Sequence, residues 1–326
     1  MPPLRREPLG LPRGFSFLET FVSAPEILVL GSVNRDLIVH APRLPLPGET
    51  LRGQRFGSCL GGKGANQAVA AARLGARVAL AARVGLLENG AAMVAQLRSE
   101  GVDTSAVVQP ADEVPGVALI VVGAEDAENQ IVTVAGSNGV LPLEQVEALP
   151  LTGLRWLIAQ QELPLPSIAR AFERARAAGV KTLLNAAPYR PGCESLLPLV
   201  DLLVVNELEA QALVTTLGGG AAAPEALAEA LRAKGPAAVL VSLGADGLCW
   251  VDAQGVRRVP ARRVKAVDTV GAGDTLVGAL VTAFAEGQAI DSALAFAQAA
   301  AAIAVSRPGV QDAMPRRDEV EQLLKN

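Results

Sequence analysis

Short β-rich runs alternate with alanine-rich helical runs along most of this 326-residue chain. The strand candidates are EILVLGSV, RVALAARV, RWLIAQQ, KTLLNAA, DLLVVN and AAVLVSLG. Runs such as GANQAVAAARLG, AAMVAQLRSEG, SIARAFERARAAG and PEALAEALRAKG lie between them and predict helices, most of them closed by a glycine. This alternation is typical of right-handed βαβ units around a parallel sheet. We therefore predict a Rossmann-like three-layer αβα domain with a mostly parallel central sheet over residues 25–326.

Two regions interrupt the alternation. Residues 36–60 and 115–135 predict strands joined by turns, with no helix between them. They should form a small separate sheet, and a sheet of few strands needs cover on one face to be stable. We expect it to fold over the main domain as a lid or to pair with a second copy of the chain. Residues 1–24 are predicted to be a disordered extension.

The composition excludes several classes of function. A net charge of −4 and scattered basic residues argue against a nucleic-acid partner. The longest apolar run, 294–305, is too short to span a bilayer, so we expect no membrane partner. Three cysteines without disulfide or metal-ligand spacing fit a cytoplasmic protein. The single histidine, His40, and the lack of a Gly-x-Ser-x-Gly motif disfavour a Ser-His-Asp hydrolase.

The run VDTVGAGDTLVG places Gly271 and Gly273 directly before Asp274, which opens an apolar helical pattern. The first N–H groups of a helix have no intrahelical partner, so they can hold a phosphate. A carboxylate at the same place could take a proton from a hydroxyl that attacks the phosphorus. The motif therefore indicates phosphoryl transfer to an alcohol. The alternative is that Asp274 only caps the helix.

Two further motifs carry polar groups near predicted strand ends. GGKGANQA supplies Lys63 and Asn66 after paired glycines, but Gly64 stands where a Walker A loop has Ser or Thr. SVNRD follows the first predicted strand, so that Asn34 and Asp36 could hydrogen-bond sugar hydroxyls. Either motif alone also has a structural explanation.

A third motif, NELE, follows the strand candidate DLLVVN and begins a helix. Its Glu209 is explained either by helix capping or by holding water on a magnesium ion. Glu162, at the end of RWLIAQQE, carries little information by itself.

Together these segments resemble the ribokinase-like carbohydrate kinase family. GGKGANQAVAAARLGA and VDTVGAGDTLVGAL are similar to its two signature segments, and the likeness continues through PGET, GVALI, VSLGADG and AAAAIAVSRPG. GGKGANQA and the Asn-x-Asp of SVNRD are the forms of its ribokinase branch. The resemblance implies ATP-dependent phosphorylation of D-ribose at the 5-hydroxyl, giving D-ribose 5-phosphate and ADP. It also suggests a homodimer formed through the lid.

The resemblance assigns roles to individual positions. Asp274 would be the base, and the N–H groups of Gly271, Ala272 and Gly273 would form the anion hole. The sugar-binding positions, with Ala118 and Ile131 covering the sugar from the lid, would be Asn34, Asp36, Gly62, Lys63, Asn66, Ala118, Ile131, Glu162 and Asp274. The ATP-binding positions would be Asn206, Ser242, Gly244, Gly273 and Gln298. Glu209 would hold Mg²⁺ through water, and an activating K⁺ would be bound by Asp268 and the carbonyls of Val270, Val305, Pro308 and Val310.

Several positions depart from the family pattern. Gln298 stands where some relatives place a histidine beside the adenine, and Ala313 where a serine can contribute to the cation site. Leu86 and Leu87 stand where the family often has acidic residues, and Arg35 lies inside the Asn-x-Asp unit.

The alternative functions are those of a sibling kinase acting on 2-deoxyribose, fructose or adenosine, and of a non-catalytic sugar or nucleotide sensor. The sensor is disfavoured because it would not need Asp274.

Overall fold

The structure is a computed structural model that describes residues 24–124 and 129–325. Residues 1–23 of the predicted N-terminal extension lie outside the described residues. The strands are β1 (Ile27–Leu30), β2 (Asn34–Ala41), β3 (Arg55–Gly61), β4 (Val78–Arg83), β5 (Val107–Val108), β6 (Gly116–Gly123), β7 (Asn129–Val134), β8 (Trp156–Gln160), β9 (Lys181–Asn185), β10 (Leu202–Asn206), β11 (Ala238–Ser242), β12 (Leu248–Asp252) and β13 (Gly255–Val259). The helices are α1 (Lys63–Arg73), α2 (Gly90–Ser99), α3 (Leu143–Glu147), α4 (Leu165–Ala177), α5 (Glu207–Thr216), α6 (Pro224–Arg232), α7 (Ala272–Ala285), α8 (Ile290–Val305) and α9 (Arg317–Lys325).

The large sheet has the strand order β13-β12-β11-β10-β9-β8-β1-β4-β5. Its strands from β5 to β11 are parallel, which confirms the predicted parallel sheet, and the candidates named from the sequence all lie in it. The antiparallel edge hairpin β12–β13 was not predicted. Its turn signal is nevertheless present, because the Asp252 carboxylate accepts a hydrogen bond from the Gln254 N–H at 2.8 Å.

Hydrophobic cores cover both faces of the large sheet. Successive side chains of a strand point to opposite faces, so Ile27 and Val29 enter one core while Leu28 and Leu30 enter the other. Helices α1, α2, α7, α8 and α9 pack on the first face, and α3 to α6 on the second. Helices α1 and α7 approach closely, because a Cβ on Gly278 would lie 2.7 Å from the Ala70 Cβ. Within the described residues, none of these helices is both long enough and apolar enough for a transmembrane span.

The small sheet has the strand order β3-β2-β6-β7 and is separate from the large one, as predicted. The chain leaves β1 at Leu30 and enters β2 at Asn34. Asn34 and Asp36 therefore lie in the small sheet. The sequence placed SVNRD at the end of the first main-sheet strand and began the small-sheet segment at residue 36, so the strand starts two residues earlier than predicted. Asp36 is directly opposite Ala118 in the register, so these two side chains share a face, and Leu37 faces the other way.

Candidate active site

Asp274 lies in the first turn of α7 and is buried. Its Oδ2 accepts a hydrogen bond from Asn66 Nδ2 at 2.9 Å, and its Oδ1 accepts one from Gln67 Nε2 at 3.0 Å. Both bonds come from side chains on α1, and the structure shows no side-chain cap on α7 among the described residues. The capping explanation of Asp274 is therefore wrong, and its carboxylate is held by helix α1.

The turn that precedes α7 presents backbone N–H groups at the same place. Gly271 has a left-handed φ of 77°, a conformation that glycine adopts without strain. Within the described part of the chain, the N–H groups of Gly271 and Gly273 make no hydrogen bond, whereas the Ala272 N–H donates to the Thr269 carbonyl at 3.3 Å. A Cβ on Gly273 would meet open space. Gly271 and Gly273 thus remain available to an anion.

An open cavity of about 130 Å³ lies between this helix start and the ends of β9, β10 and β11. Its lining includes several of the predicted sugar, nucleotide and metal positions, which the fold brings together from distant parts of the chain. They are Lys63, Asn206, Glu209, Ser242, Gly271, Gly273 and Asp274. A second cavity, between α8 and α9, contains none of the predicted site residues.

Asp36 approaches this cluster from the small sheet. Burial, and then the charges of Glu162 and Asp274, raise the pKa of Asp36 to about 7. Its Oδ1 is buried and has no hydrogen-bond partner among the described residues. A Cβ on Gly61 would lie 2.2 Å from the Asp36 Oδ2, so this glycine, which is paired with Asn34 in the register, makes room for the Asp36 carboxylate. Asp36 therefore has acceptor capacity that the described protein groups do not use.

Asn34 is oriented by Asn138, a residue that the sequence did not single out. Asn138 Nδ2 donates to the Asn34 Oδ1 at 2.7 Å, and Asn138 Oδ1 accepts from the Val33 N–H at 3.0 Å. Because the Asn34 Oδ1 is thereby occupied, its Nδ2 is the group left to face a ligand as a donor. A Cβ on Gly116 would lie 2.0 Å from the Asn34 Oδ1, so only glycine fits beside this pair.

Glu162 follows β8, and its side chain contacts the N-terminus of α1. Its Oε2 accepts hydrogen bonds from the Ser32 hydroxyl and, at 3.1 Å, from the Lys63 N–H. A Cβ on Gly64 would lie 2.5 Å from the Gly31 Cα. The glycine after Lys63 is therefore needed for close packing of α1 on the end of β1, which excludes the Ser or Thr of a Walker A loop.

Lys63 is the cation among these carboxylates. Burial acts to lower the pKa of Lys63, but the charges of Asp274, Glu162 and Glu209 outweigh it and raise the pKa. For Asp274, burial raises the pKa, and the Lys63 charge and the hydrogen bonds from Gln67 and Asn66 oppose this effect. Lys63 thus stays protonated. Its positive charge stabilises the ionised form of Asp274, which is the form that acts as a base.

Asn206 and Glu209 form a capping box at the start of α5. The Glu209 N–H donates to the Asn206 Oδ1 at 2.7 Å, and the Asn206 N–H donates to the Glu209 Oε2 at 2.9 Å. Burial raises the pKa of Glu209, and the hydrogen bond from Asn206 and the Lys63 charge oppose this. The capping explanation of this motif is confirmed, and Glu209 also lines the cavity.

The pfkB family carbohydrate kinase model matches residues 24–317. The chain belongs to this family. It is 39% identical over 304 residues to the ribokinase of Haemophilus influenzae, covering 92% of this chain and 98% of that protein. It is also 33% identical over 302 residues to the deoxyribokinase of Salmonella typhi, covering 92% and 98%. A solved structure of Arabidopsis thaliana ribokinase complexed with ribose and ATP has a TM-score of 0.83 at 31% identity, covering 93% of this chain and all of that one. The family resemblance found in the sequence is thus confirmed.

The cation positions predicted for this pfkB family member lie on two adjoining segments. The carboxylate of Asp268 accepts hydrogen bonds from the Val270 N–H at 3.0 Å and from the Gly309 N–H at 3.2 Å. It therefore ties the loop before α7 to the segment after α8 that carries Pro308 and Val310. The carbonyl of Val305 already accepts the N–H groups of residues 267 and 268, at 2.7 and 3.2 Å. Val305 is consequently the member of the predicted K⁺ set that the geometry supports least.

The remaining predicted positions lie around the two ends of the site. Gln298 is buried, and its Nε2 donates to the carbonyls of Val259 and Pro260 at 3.2 and 2.7 Å. Gly244 begins a short 3₁₀ turn directly after β11. Ala118 is buried beside Asp36, whereas Ile131 is 52% exposed on the same face of the small sheet. Gly62 is the residue before α1. The ligand contacts of these residues stay predictions.

Proposed function

We propose that this pfkB family member is an ATP-dependent kinase that phosphorylates D-ribose at the 5-hydroxyl, giving D-ribose 5-phosphate and ADP. One observation carries the proposal: the buried carboxylate of Asp274 lies beside the available amides of Gly271 and Gly273 and within electrostatic reach of Asp36. A base, an anion site and a group suited to a polyol therefore meet at one place. The ribokinase names of the relatives favour ribose among the possible alcohols.

The sugar would bind against the inner face of the small sheet, where Asn34 offers a donor and Asp36 an acceptor. Asp274 would accept the proton of the 5-hydroxyl as that oxygen forms a bond to the γ-phosphorus. The bond between this phosphorus and the bridging oxygen then breaks, and ADP leaves with the electron pair. The Gly271 and Gly273 N–H groups would donate to the transferred phosphoryl group, where negative charge is held during transfer.

Glu209 fits a role toward magnesium. Its Oε2 is used in the capping box, while its Oε1 has no partner among the described residues and the side chain lines the cavity. A carboxylate in this position would hold the water shell of the ion. Magnesium bound with ATP would neutralise part of the triphosphate charge. We also propose that potassium activates the enzyme by ordering the loop that Asp268 ties to the segment after α8.

The outer face of the small sheet supports a homodimer. Strand register puts four exposed apolar side chains on the face opposite Asp36: Phe56 (65% exposed), Leu119 (46%), Val132 (62%) and Val134 (54%). A contiguous apolar face of this kind is typical of an interaction surface. We propose that it pairs with the same face of a second copy. The dimer should appear by light scattering, and Leu119→Glu should give a monomer; a monomeric wild type at micromolar concentration would contradict this.

The cysteines support a cytoplasmic location. Cys193 and Cys249 are buried and Cys59 is half-buried, and all three are unpaired. Burial raises the pKa of each thiol, which lowers its reactivity. Unpaired thiols are the usual state in a reducing compartment, so we propose that the enzyme works in the cytoplasm.

A coupled ADP-release assay tests the proposed activity. The purified protein is assayed with ribose, 2-deoxyribose, fructose and adenosine, each with and without potassium. We expect the highest kcat/KM with ribose, because the wrong sugar leaves buried polar groups of the site unpaired and is phosphorylated less efficiently. We also expect potassium to stimulate the reaction. A preference for 2-deoxyribose would instead assign the chain to the reaction named for its Salmonella relative. Ribose binding without ADP release would indicate a sensor.

A further inference from the structure

The side chain of Gln67 is hydrogen-bonded to Asp274 and is not among the residues that line the cavity. We propose that Gln67 is a positioning residue for the catalytic base, which aims the carboxylate of Asp274 at the sugar hydroxyl. The inference rests on the proposed function, since it concerns the base of that reaction. It adds a residue that belongs to neither the sugar nor the nucleotide set predicted from the sequence.

The polar atoms of Gln67 are all used by the protein. Gln67 is fully buried, and its Nε2 donates to the Asp274 Oδ1 and to the Asn185 Oδ1, both at 3.0 Å. Its Oε1 accepts a hydrogen bond from Gln160 Nε2 at 2.7 Å. A side chain that is buried and hydrogen-bonded in this way has no group left for ribose or ATP. Its influence on the reaction must therefore pass through its hydrogen-bond partners, of which Asp274 is the proposed base.

The partners of Gln67 decide which of its atoms faces the base. Gln160 and Asn185 are the last residues of the neighbouring strands β8 and β9, and Asn185 Nδ2 in turn donates to the Val204 carbonyl on β10 at 3.1 Å. The Asn185 Oδ1 is therefore an acceptor toward Gln67. Only one orientation of the Gln67 amide satisfies this acceptor, and the same orientation directs a donor at Asp274 and the Gln67 Oε1 at Gln160. Three adjacent strands of the rigid sheet thus fix the orientation of the carboxylate.

Asn66 also donates to Asp274, but it differs from Gln67 in one respect. The Asn66 Oδ1 accepts from Gln311 Nε2 at 3.0 Å, so Asn66 too is held in a defined orientation. Asn66, however, is one of the predicted sugar-binding positions, and its replacement would change both ribose binding and the base. Gln67 separates the two effects because Asp274 is the one predicted site residue to which the Gln67 side chain is hydrogen-bonded within the described part of the chain.

The hydrogen bond from Gln67 also favours the charged form of Asp274, the form that accepts a proton. The other charged groups around this carboxylate are Lys63 on α1, Glu162 after β8 and Glu209 on α5, together with Asp36 on β2. Lys63 favours the charged form, whereas the three carboxylates oppose it. Removal of the Gln67 donor should therefore raise the pKa of Asp274 and leave less of the active base at neutral pH.

The test compares Gln67→Met with the wild type over a pH range. Methionine keeps the length of the side chain and lacks the donor. We expect kcat to fall about tenfold to a hundredfold, because small displacements of a reacting group have effects of this size. The acid limb of kcat should move up by about one pH unit, while KM for ribose and for ATP changes less than about threefold.

Two further variants separate positioning from folding. Gln67→Glu has nearly the same shape, keeps an acceptor for Gln160 and places a second carboxyl group beside Asp274, so its acid limb should move further than that of Gln67→Met. Gln145 is a matched control: its Nε2 donates to the Ala82 carbonyl at 2.8 Å, away from the site. Gln145→Met should lower the melting temperature without moving the pH profile.

A titration of the Asp274 carboxyl carbon by ¹³C NMR, assigned with Asp274→Asn, measures the same effect without turnover. It should show a higher pKa for Asp274 in Gln67→Met than in the wild type. An unchanged pKa, or a Gln67→Met enzyme with raised KM and normal kcat, would overturn the role of Gln67. A wild type that releases no ADP with ribose would overturn the proposed function instead, and the titration alone would then decide whether Gln67 sets the state of Asp274.

Discussion

Two aspartates of the site, Asp274 and Asp36, are treated differently by the protein around them. Asp274 is buried, and each of its oxygens accepts a hydrogen bond from a side-chain amide on α1. Asp36 comes from the small sheet, and its buried Oδ1 has no partner among the described residues. The protein thus completes the surroundings of one carboxylate and leaves those of the other incomplete.

The difference corresponds to two tasks. A base must be held in position before the substrate arrives, because reorganisation during the reaction slows it. A binding group gains affinity and specificity when the ligand supplies the missing hydrogen bond, since a buried acceptor without a partner costs free energy. We therefore assign the chemical step to Asp274 and ribose recognition to Asp36, and the predictions below test this division.

The largest effect is expected for Asp274→Asn. Asparagine keeps the shape of the side chain but cannot take the proton of the sugar hydroxyl. A positioned base typically contributes about 10²- to 10⁴-fold in rate, so kcat should fall at least about a hundredfold while ribose affinity stays close to that of the wild type. Steady-state kinetics and calorimetric titration with ribose would measure the two quantities.

Asp291 provides the control for this variant. It lies in the first turn of α8, the helix next to α7, and its side chain is 86% exposed. Asp291→Asn removes a carboxylate from a helix start without touching the site, and kcat should not change. Near-normal turnover of Asp274→Asn would eliminate the proposed base.

Asp36→Ala is expected to act on ribose and not on ATP. The loss of a hydrogen bond to a charged group typically weakens binding about tenfold to a hundredfold, so the Kd for ribose should rise by this factor. The KM for ATP serves as the internal control, because Asp36 lies on the sugar side of the site. An equal loss for both ligands would contradict the division between the two aspartates.

The sequence predicts one half of this comparison better than the other. Asp274 could be recognised because the glycines that form its anion site are contiguous with it and helix starts follow local rules. The side chains that orient Asp274 and the sugar-binding residue Asn34 could not be predicted. Gln67 lies 207 residues from Asp274 in the chain, and Asn138 lies 104 residues from Asn34. Such hydrogen bonds depend on how helices and strands pack, which no local spacing encodes.

The position of the small sheet shows the same limit. Its strand content could be predicted from the loss of the helical pattern in residues 36–60 and 115–135. That Asn34 belongs to it could not be predicted, because SVNRD continues the apolar run of β1 without a turn signal, whereas Asp36 is the first residue of the predicted segment 36–60. The parallel pairing of β2 with β6 is what carries Asp36 over the site, and this pairing joins segments far apart in the chain.

The smallest predicted effect is a pH dependence of ribose binding that Asp36 alone confers. Its pKa is about 7 in the free protein, so the acceptor form becomes dominant only above neutrality. The Kd for ribose should therefore decrease about tenfold between pH 6 and pH 8, as the ionised fraction rises, and Asp36→Asn should show no such change. The stability of the folded protein should change in the direction opposite to ribose affinity, and fall as the pH rises. Because the folded-state pKa of about 7 lies above the ordinary value of 3.8, the stabilising contribution of Asp36 is complete only below pH 3.8 and is lost as the pH rises from there through 7. Asp36→Asn should accordingly melt at a higher temperature than the wild type at pH 8 while binding ribose less well, and equal melting temperatures at that pH would show that Asp36 carries no such cost.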